Sequence, residues 1–172
     1  MADETPLIPN GAGPDSEPQA AAIAQYIKDL SVESPNSPQV FQWQETPNLD
    51  VSFNLNVNKI ADEVHEVVLR VQLKAASSLG SHFIVDLSYA GLFGLRNVPE
   101  DAVAPFLLVE GPRLLFPFAR QIIADSVQNL GFPTVLLDPI DFGAAYMAQV
   151  EAANGQLGGE QQLADVEPAG NA

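Results

Sequence analysis

The sequence predicts an α+β fold, a four-stranded antiparallel sheet followed by helices. Three observations predict it. Between Ile23 and Phe93 apolar residues recur at every second position in several runs, the period of strands. Beyond Val98 the period lengthens to that of helices. The strand-like runs all precede the helix-like ones instead of alternating with them, which separates α+β from α/β.

The first strand is expected over Ile23–Glu33, with Tyr26, Leu30 and Val32 on one face and Ile27, Asp29, Ser31 and Glu33 on the other. "SPNSPQVFQWQETPN" follows. Its three prolines forbid a helix and most central strands, so it reads as a long connection carrying Val40, Phe41 and Trp43. The second strand is the cleanest. Leu49, Val51, Phe53, Leu55 and Val57 alternate with Asp50, Ser52, Asn54, Asn56 and Asn58. The third, Val64–Ala75, turns Val67, Leu69, Val71, Leu73 and Ala75 inward, and "NKIADEVHE" joins the two as an antiparallel hairpin. After the "SSLGS" turn comes "SHFIVDLSYAGLF". Here Phe83, Val85, Leu87 and Tyr89 point one way, while Ile84, Asp86, Ser88 and Ala90 point the other, so Asp86 is a lone charge on its strand.

Three helices are expected. The first starts near Pro99, with Asn97 as cap and Glu100 and Asp101 at its positive end, and stops at Gly111-Pro112. The second covers Leu114 to Leu130, with Leu115, Phe118, Ile122 and Leu130 on one stripe, Gly131 just past its end and Pro133 after it. The third runs from Phe142 to Ala153, capped by Asp141. "MADETPLIPNGAGPDSEPQ" and "ANGQLGGEQQLADVEPAGNA" are rich in Gly, Pro and acid. Residues 1–22 and 154–172 therefore read as disordered acidic arms around one domain, 23–153.

The chain has 172 residues, 47% of them hydrophobic, enough for one core. It has no cysteine, which excludes disulfides and thiolate chemistry. Its net charge is −15, from 22 acids and seven bases. Nucleic acid and anionic membrane both require clustered Lys and Arg, so both are excluded as partners. No basic or apolar leader region is present, and no apolar run approaches the roughly 18 residues of a membrane span. A cytoplasmic location without membrane insertion is expected.

Catalytic chemistry finds little support. No GxxxxGK[ST] loop and no GxGxxG occurs, so no nucleotide machinery is expected. His65 and His82 flank strands three and four, and with Glu63 or Glu66 would form a two-histidine site if the hairpin made them neighbours. Without a fuller ligand set the preferred reading is two unrelated histidines, with no metal and no cofactor. Asp62-Glu63 reads as a turn and Glu100-Asp101 as a helix start. The excess lies elsewhere, in apolar side chains. Leu114, Leu115, Phe116, Phe118, Ile122 and Ile123 surround one helix on more than one stripe, and Phe132, Phe142 and Tyr146 follow. A four-stranded sheet with three helices on one face leaves such residues for an oligomer or an apolar binding surface.

"IKDLSVESPNSPQVF" (Ile27–Phe41), "DEVHEVVLRVQLKA" (Asp62–Ala75) and "LLFPFARQIIADSVQNLGFPTVLLDPIDFGAAY" (Leu114–Tyr146) resemble the bacterial protein-export chaperone family SecB, and the resemblance spans residues 25–150. It implies a cytoplasmic homotetramer, a dimer of dimers. Such a protein holds unfolded precursor proteins without ATP, keeps them translocation-competent and delivers them to the translocase ATPase SecA. It implies that the zinc-binding C-terminal segment of SecA docks at Asp29, Glu33, Ile84 and Asp86. It implies that Phe83, Val85, Leu87 and Tyr89 face the oligomer interior, and that Trp43 and Phe142 belong to the client groove. Where the family has Gly-Gly in strand four, this chain has Ala90-Gly91, and an altered local turn is expected. The alternatives are a small acidic adaptor for one folded partner and, from a third class, a hydrolase built on His65 and His82.

Overall fold

The computed structural model describes residues 17–162, and the side chains of residues 17–154. The four strands are β1 (Gln19–Glu33), β2 (Asn48–Ala61), β3 (Val64–Ser77) and β4 (Gly80–Arg96), all antiparallel in the order β1-β4-β3-β2. β2, β3 and β4 form a meander through two tight turns, Asp62-Glu63 with Glu63 at φ 60 and Ser78-Leu79 with Gly80 at φ 138. β1 returns to cover the free edge of β4. Both β1 and β2 are edge strands.

The inward face is the one that alternation picked out. Val67, Leu69, Val71, Leu73, Val85 and Leu87 have no solvent contact. Full burial of each stabilises the fold by about 1.5–3 kcal/mol relative to exposure. Above them lies one continuous helical run: α1 (Glu100–Pro105), a π-helical turn (Phe106–Glu110) and α2 (Gly111–Asn129). Gly111-Pro112 was expected to end a helix. Instead Gly111 keeps helical angles, φ −54 and ψ −60, and donates to the Phe106 carbonyl, so the π turn carries the helix past Pro112 into α2. The glycine is required for contact, since a Cβ there would meet Val67 at 3.3 Å and Phe93 at 3.6 Å.

The buried stripe of α2 is Leu115, Ala119, Ile123 and Val127, flanked by Phe116 and Ala124. This corrects the expected stripe, because Phe118 is 52% exposed. Spacing alone left the helix's rotation free by about one residue, and the sheet selects the narrower residues that let it approach closely. Glu100–Asn129 is by length and composition long and apolar enough to cross a membrane, contrary to expectation. Its buried stripe packs on β3 and β4 instead. Gly91 of β4 lies at the closest approach, where a Cβ would come within 2.8 Å of Leu115. No turn occurs at Ala90-Gly91; β4 runs straight through it.

Two further expectations shift. β1 starts at Gln19 and α3 (Phe142–Gln162) continues to Gln162, so parts of both arms are ordered structure. Gln19–Ala22 has no strand period but is held by pairing with β4 from Arg96 to Phe93. Residues 1–16 and 163–172 lie outside the described residues. Asn97 does not cap α1; it takes φ 54 at the end of β4, and no side chain caps that helix. Asp141 does cap α3, accepting the Ala144 N–H at 2.9 Å, and Gly131 adopts φ 89 after α2.

Candidate client groove and outer sheet face

The proline-rich connection is pinned to the start of β4. Ser34 donates to the His82 carbonyl at 3.0 Å, Asn36 donates to the Ser81 carbonyl at 2.9 Å, and Val40 is buried. This fixes Phe41 and Trp43 over a cleft of about 380 Å³. Leu49 of β2, His82 and Phe83 of β4, and Phe132 and Val135 after α2 complete its walls. Phe41 stacks on Phe132 at 5.4 Å, Phe83 meets Phe132 at 5.0 Å, and Trp43 stands edge-on to His82 at 5.0 Å. Gly131 allows the first stack, since a Cβ there would lie 3.3 Å from the Phe41 ring. His82 is buried and hydrogen-bonds the Ser77 hydroxyl at 2.9 Å.

The cleft continues. Leu49, Val51 and Phe53 of β2 face Val135 to Ile140 across a second depression. Phe53, Leu55, Leu108, Ile140, Phe142 and Tyr146 line a third. Successive depressions share Leu49 and Val135, then Phe53 and Ile140. One apolar groove thus runs beside edge strand β2, whose outer backbone groups have no strand partner among the described residues. Trp43 stands at one end and Phe142 at the other. Trp43 is a half-buried wall, whereas Phe142 is 4% exposed and packs on Phe116 at 6.2 Å, more floor than wall.

Among the described residues no helix packs on the opposite face of the sheet. The β1–β4 register sets Asp29 opposite Ser88, Ser31 opposite Asp86 and Glu33 opposite Ile84. Asp29, Glu33, Ile84 and Asp86 therefore share one face, but the irregularity between Ile27 and Asp29 turns Tyr26 onto that face and Ile27 off it, against the expected alternation. Asp86 is not alone. Arg70 of β3 grips its carboxylate at 2.9 and 2.6 Å, and Gln72 donates at 2.7 Å. Arg70 holds the Asp86 carboxyl below its ordinary range, against burial, with Gln72 assisting. Arg70 was missed because it becomes a neighbour only through the β3–β4 register. At the other end of this face lies Glu66, also missed as a structural group. It is 5% exposed and accepts from Tyr26 at 2.6 Å, Lys28 at 2.8 and 3.0 Å, and Asn58 at 3.1 Å.

Two further expectations are corrected. Phe83, Val85, Leu87 and Tyr89 are 0–8% exposed within the protomer, so they have almost no surface to offer a second copy. They form the floor beneath α2, and only Tyr89 reaches the rim, 6.3 Å from Phe118. His65 lies opposite Phe93 while His82 begins β4. Eleven residue steps separate them, roughly 35 Å along the strand. Among the described residues no cluster of metal-ligating side chains occurs.

The family model for preprotein translocase subunit SecB matches residues 14–153. Protein-export protein SecB of Sphingopyxis alaskensis is 48% identical over the whole of both chains. That of Zymomonas mobilis is 47% identical over 95% of each. A SecB-like chaperone of Mycobacterium tuberculosis, solved in complex with a peptide from the HigA1 antitoxin, superposes with a TM-score of 0.58 at 16% identity. It covers 70% of this chain and 90% of its own, and shares the fold. A match over most of the chain, with near-half identity over full length, settles the family: this chain is a member of SecB, a family of export chaperones and not of enzymes.

Proposed function

We propose that the protein is an ATP-independent holdase that keeps unfolded precursors translocation-competent in the cytoplasm and delivers them to SecA. The observation that carries this reading is the continuous apolar groove beside β2. Its aromatic walls reward burial of any apolar side chain, at about 25 cal/mol per Å². The free edge of β2 gives an extended chain backbone hydrogen-bond partners that carry no sequence preference. Each depression binds weakly, but one long client filling several gains effective concentration. Without added nucleotide the protein is expected to suppress aggregation of several unrelated unfolded proteins. Protection of a single protein, or of none, favours the adaptor reading instead.

The working form is a homotetramer, a dimer of dimers. The surface available for assembly is not the β4 floor but the exposed apolar side chains beside it. Ile23 and Ile27 of β1 are 58% and 47% exposed, and Leu114 and Phe118 of α2 are 48% and 52% exposed. SecA docks on the outer face at Asp29, Glu33, Ile84 and Asp86. Carboxylates steer a cationic module and Ile84 anchors it. Because Arg70 already satisfies Asp86, the steering charge comes chiefly from Asp29 and Glu33. Asp86 serves as a positioned acceptor. Asp86→Lys places two cations side by side and is expected to abolish binding of the SecA C-terminal segment in calorimetric titration, with client holding and native mass unchanged. Unaltered affinity contradicts this docking site.

A further inference from the structure

We propose that the outer sheet face reads charges of two signs, and that Arg70 and Lys74 of β3 are contact residues for SecA. The docking module would set a cation against β1 and a carboxylate or carbonyl acceptor against β3. The inference rests on the SecA-docking reading above. Strand register carries it. Glu33 lies opposite Ile84, and Ile84 lies opposite Lys74. Four residues along β4, Asp29 lies opposite Ser88, and Ser88 lies opposite Arg70. Each row thus runs from an acid on β1, across β4, to a base on β3, and Asp86 stands in the row between them. Neighbouring strands are spaced so that the acid and base of one row stand about 10 Å apart, backbone to backbone.

The two signs do not cancel each other. Among the described residues Asp29, Glu33 and Lys74 enter no ion pair, and Lys74 makes none with Asp50, its neighbour across β2. Arg70 spends Nε and Nη2 on Asp86, and no acceptor among the described residues reaches its Nη1. The Arg70 side chain is 51% exposed and that of Asp86 21%, so a partner arriving from water meets the guanidinium before the carboxylate. A wholly cationic module is drawn to β1 and repelled along β3. A module with an acceptor on that side turns the repulsion into attraction. The planar guanidinium takes a carboxylate or carbonyl directionally, while the ammonium of Lys74 takes any acceptor. The pattern also fixes orientation, because a half-turn of the module would set its cation on Arg70. Ile84, half-buried between the two signs, receives the apolar part of the module.

Calorimetric titration with the zinc-loaded C-terminal segment of SecA tests this, and a lysine-rich peptide free of acids is the second probe. Lys74→Gln should weaken binding of the SecA segment about two- to fivefold, and Arg70→Gln about five- to tenfold. The lysine-rich peptide should bind both variants more tightly than the wild type. Opposite signs for the two probes are the signature, because both substitutions make the face more acidic. Circular dichroism and native mass establish that each variant is folded and assembled. Tighter or unchanged binding of the SecA segment by Lys74→Gln overturns the two-sign face, and a loss confined to Arg70→Gln then means that the arginine only holds Asp86 in place. Failure of the wild type to bind the segment, or binding indifferent to Asp86→Lys, overturns the docking reading itself.

Discussion

Leu87→Asp is expected to unfold the protomer, not to dissociate an intact assembly. Leu87 has no solvent contact and lies in the core cluster with Leu115 and Ile123 of α2. A carboxylate placed there finds no cation, so it loses its hydration without compensation. It also forfeits the 1.5–3 kcal/mol or so that the leucine contributed by burial. The sum exceeds about 4 kcal/mol, a large share of a domain's total stability. Loss of the cooperative thermal transition in circular dichroism is the expected outcome. Phe118→Asp is the contrasting change. Phe118 is 52% exposed on α2, so the substitution is expected to leave the protomer folded and to lower the native mass in light scattering. A folded Leu87→Asp protein of reduced mass contradicts the core assignment of β4.

Glu66→Ala is the second large effect. Glu66 of β3 ties its own strand to two others by accepting from Tyr26 and Lys28 of β1 and Asn58 of β2. Removing the acceptor unpairs the half-buried Tyr26 hydroxyl and Asn58 amide, while Lys28, about half exposed, regains water. The expected loss is about 2–3 kcal/mol. Glu66 is better replaced by Gln than by Ala, since the amide keeps one acceptor.

The same network sets the pH limits of its own contribution. The Lys28 hydrogen bond, then that of Tyr26, holds the Glu66 carboxyl below its ordinary range against burial. A depressed carboxylate pKa gives stability that is complete above the unfolded value and lost as pH falls through the folded one. The Glu66 hydrogen bond pushes Tyr26 up from 10.0 to about 12. A raised pKa gives stability that is complete below pH 10.0 and lost as pH rises toward about 12. Denaturant titrations of the wild type should therefore show a plateau bounded on both sides, and Tyr26→Phe should remove the network's part of the alkaline limb. An unchanged alkaline limb in Tyr26→Phe contradicts the Tyr26–Glu66 bond as its source.

Much of this was legible in the chain. Period-2 runs located β2, β3 and β4 and their inward faces, because one face is buried in β3 and β4 and turns to the groove in β2, and a slip of one residue would invert it. Asp141 and Gly131 marked helix ends correctly because capping is local chemistry. What was not legible depended on strand order. Asp86 looked alone because Arg70 is 16 residues away and becomes its partner only by pairing of β3 with β4. The β4 floor was read as an interface because a face made of Phe83, Val85, Leu87 and Tyr89 has the same sequence whether α2 or another protomer covers it. Gly111-Pro112 was read as a stop because the π turn that carries the helix through it is a tertiary accommodation. The groove was glimpsed only at Trp43 and Phe142. Its middle, Leu49 to Phe53 opposite Val135 to Ile140, arises from two segments more than 80 residues apart in the chain.

Trp43 is the only tryptophan of the chain and stands in the wall of the groove, so its emission reports occupancy directly. A tryptophan-free client, held unfolded and titrated in without nucleotide, should shift that emission saturably. The same protein in its native state should leave it unchanged. Saturable binding of the unfolded client, seen by co-sedimentation, with no change in Trp43 emission would contradict the groove as the client site.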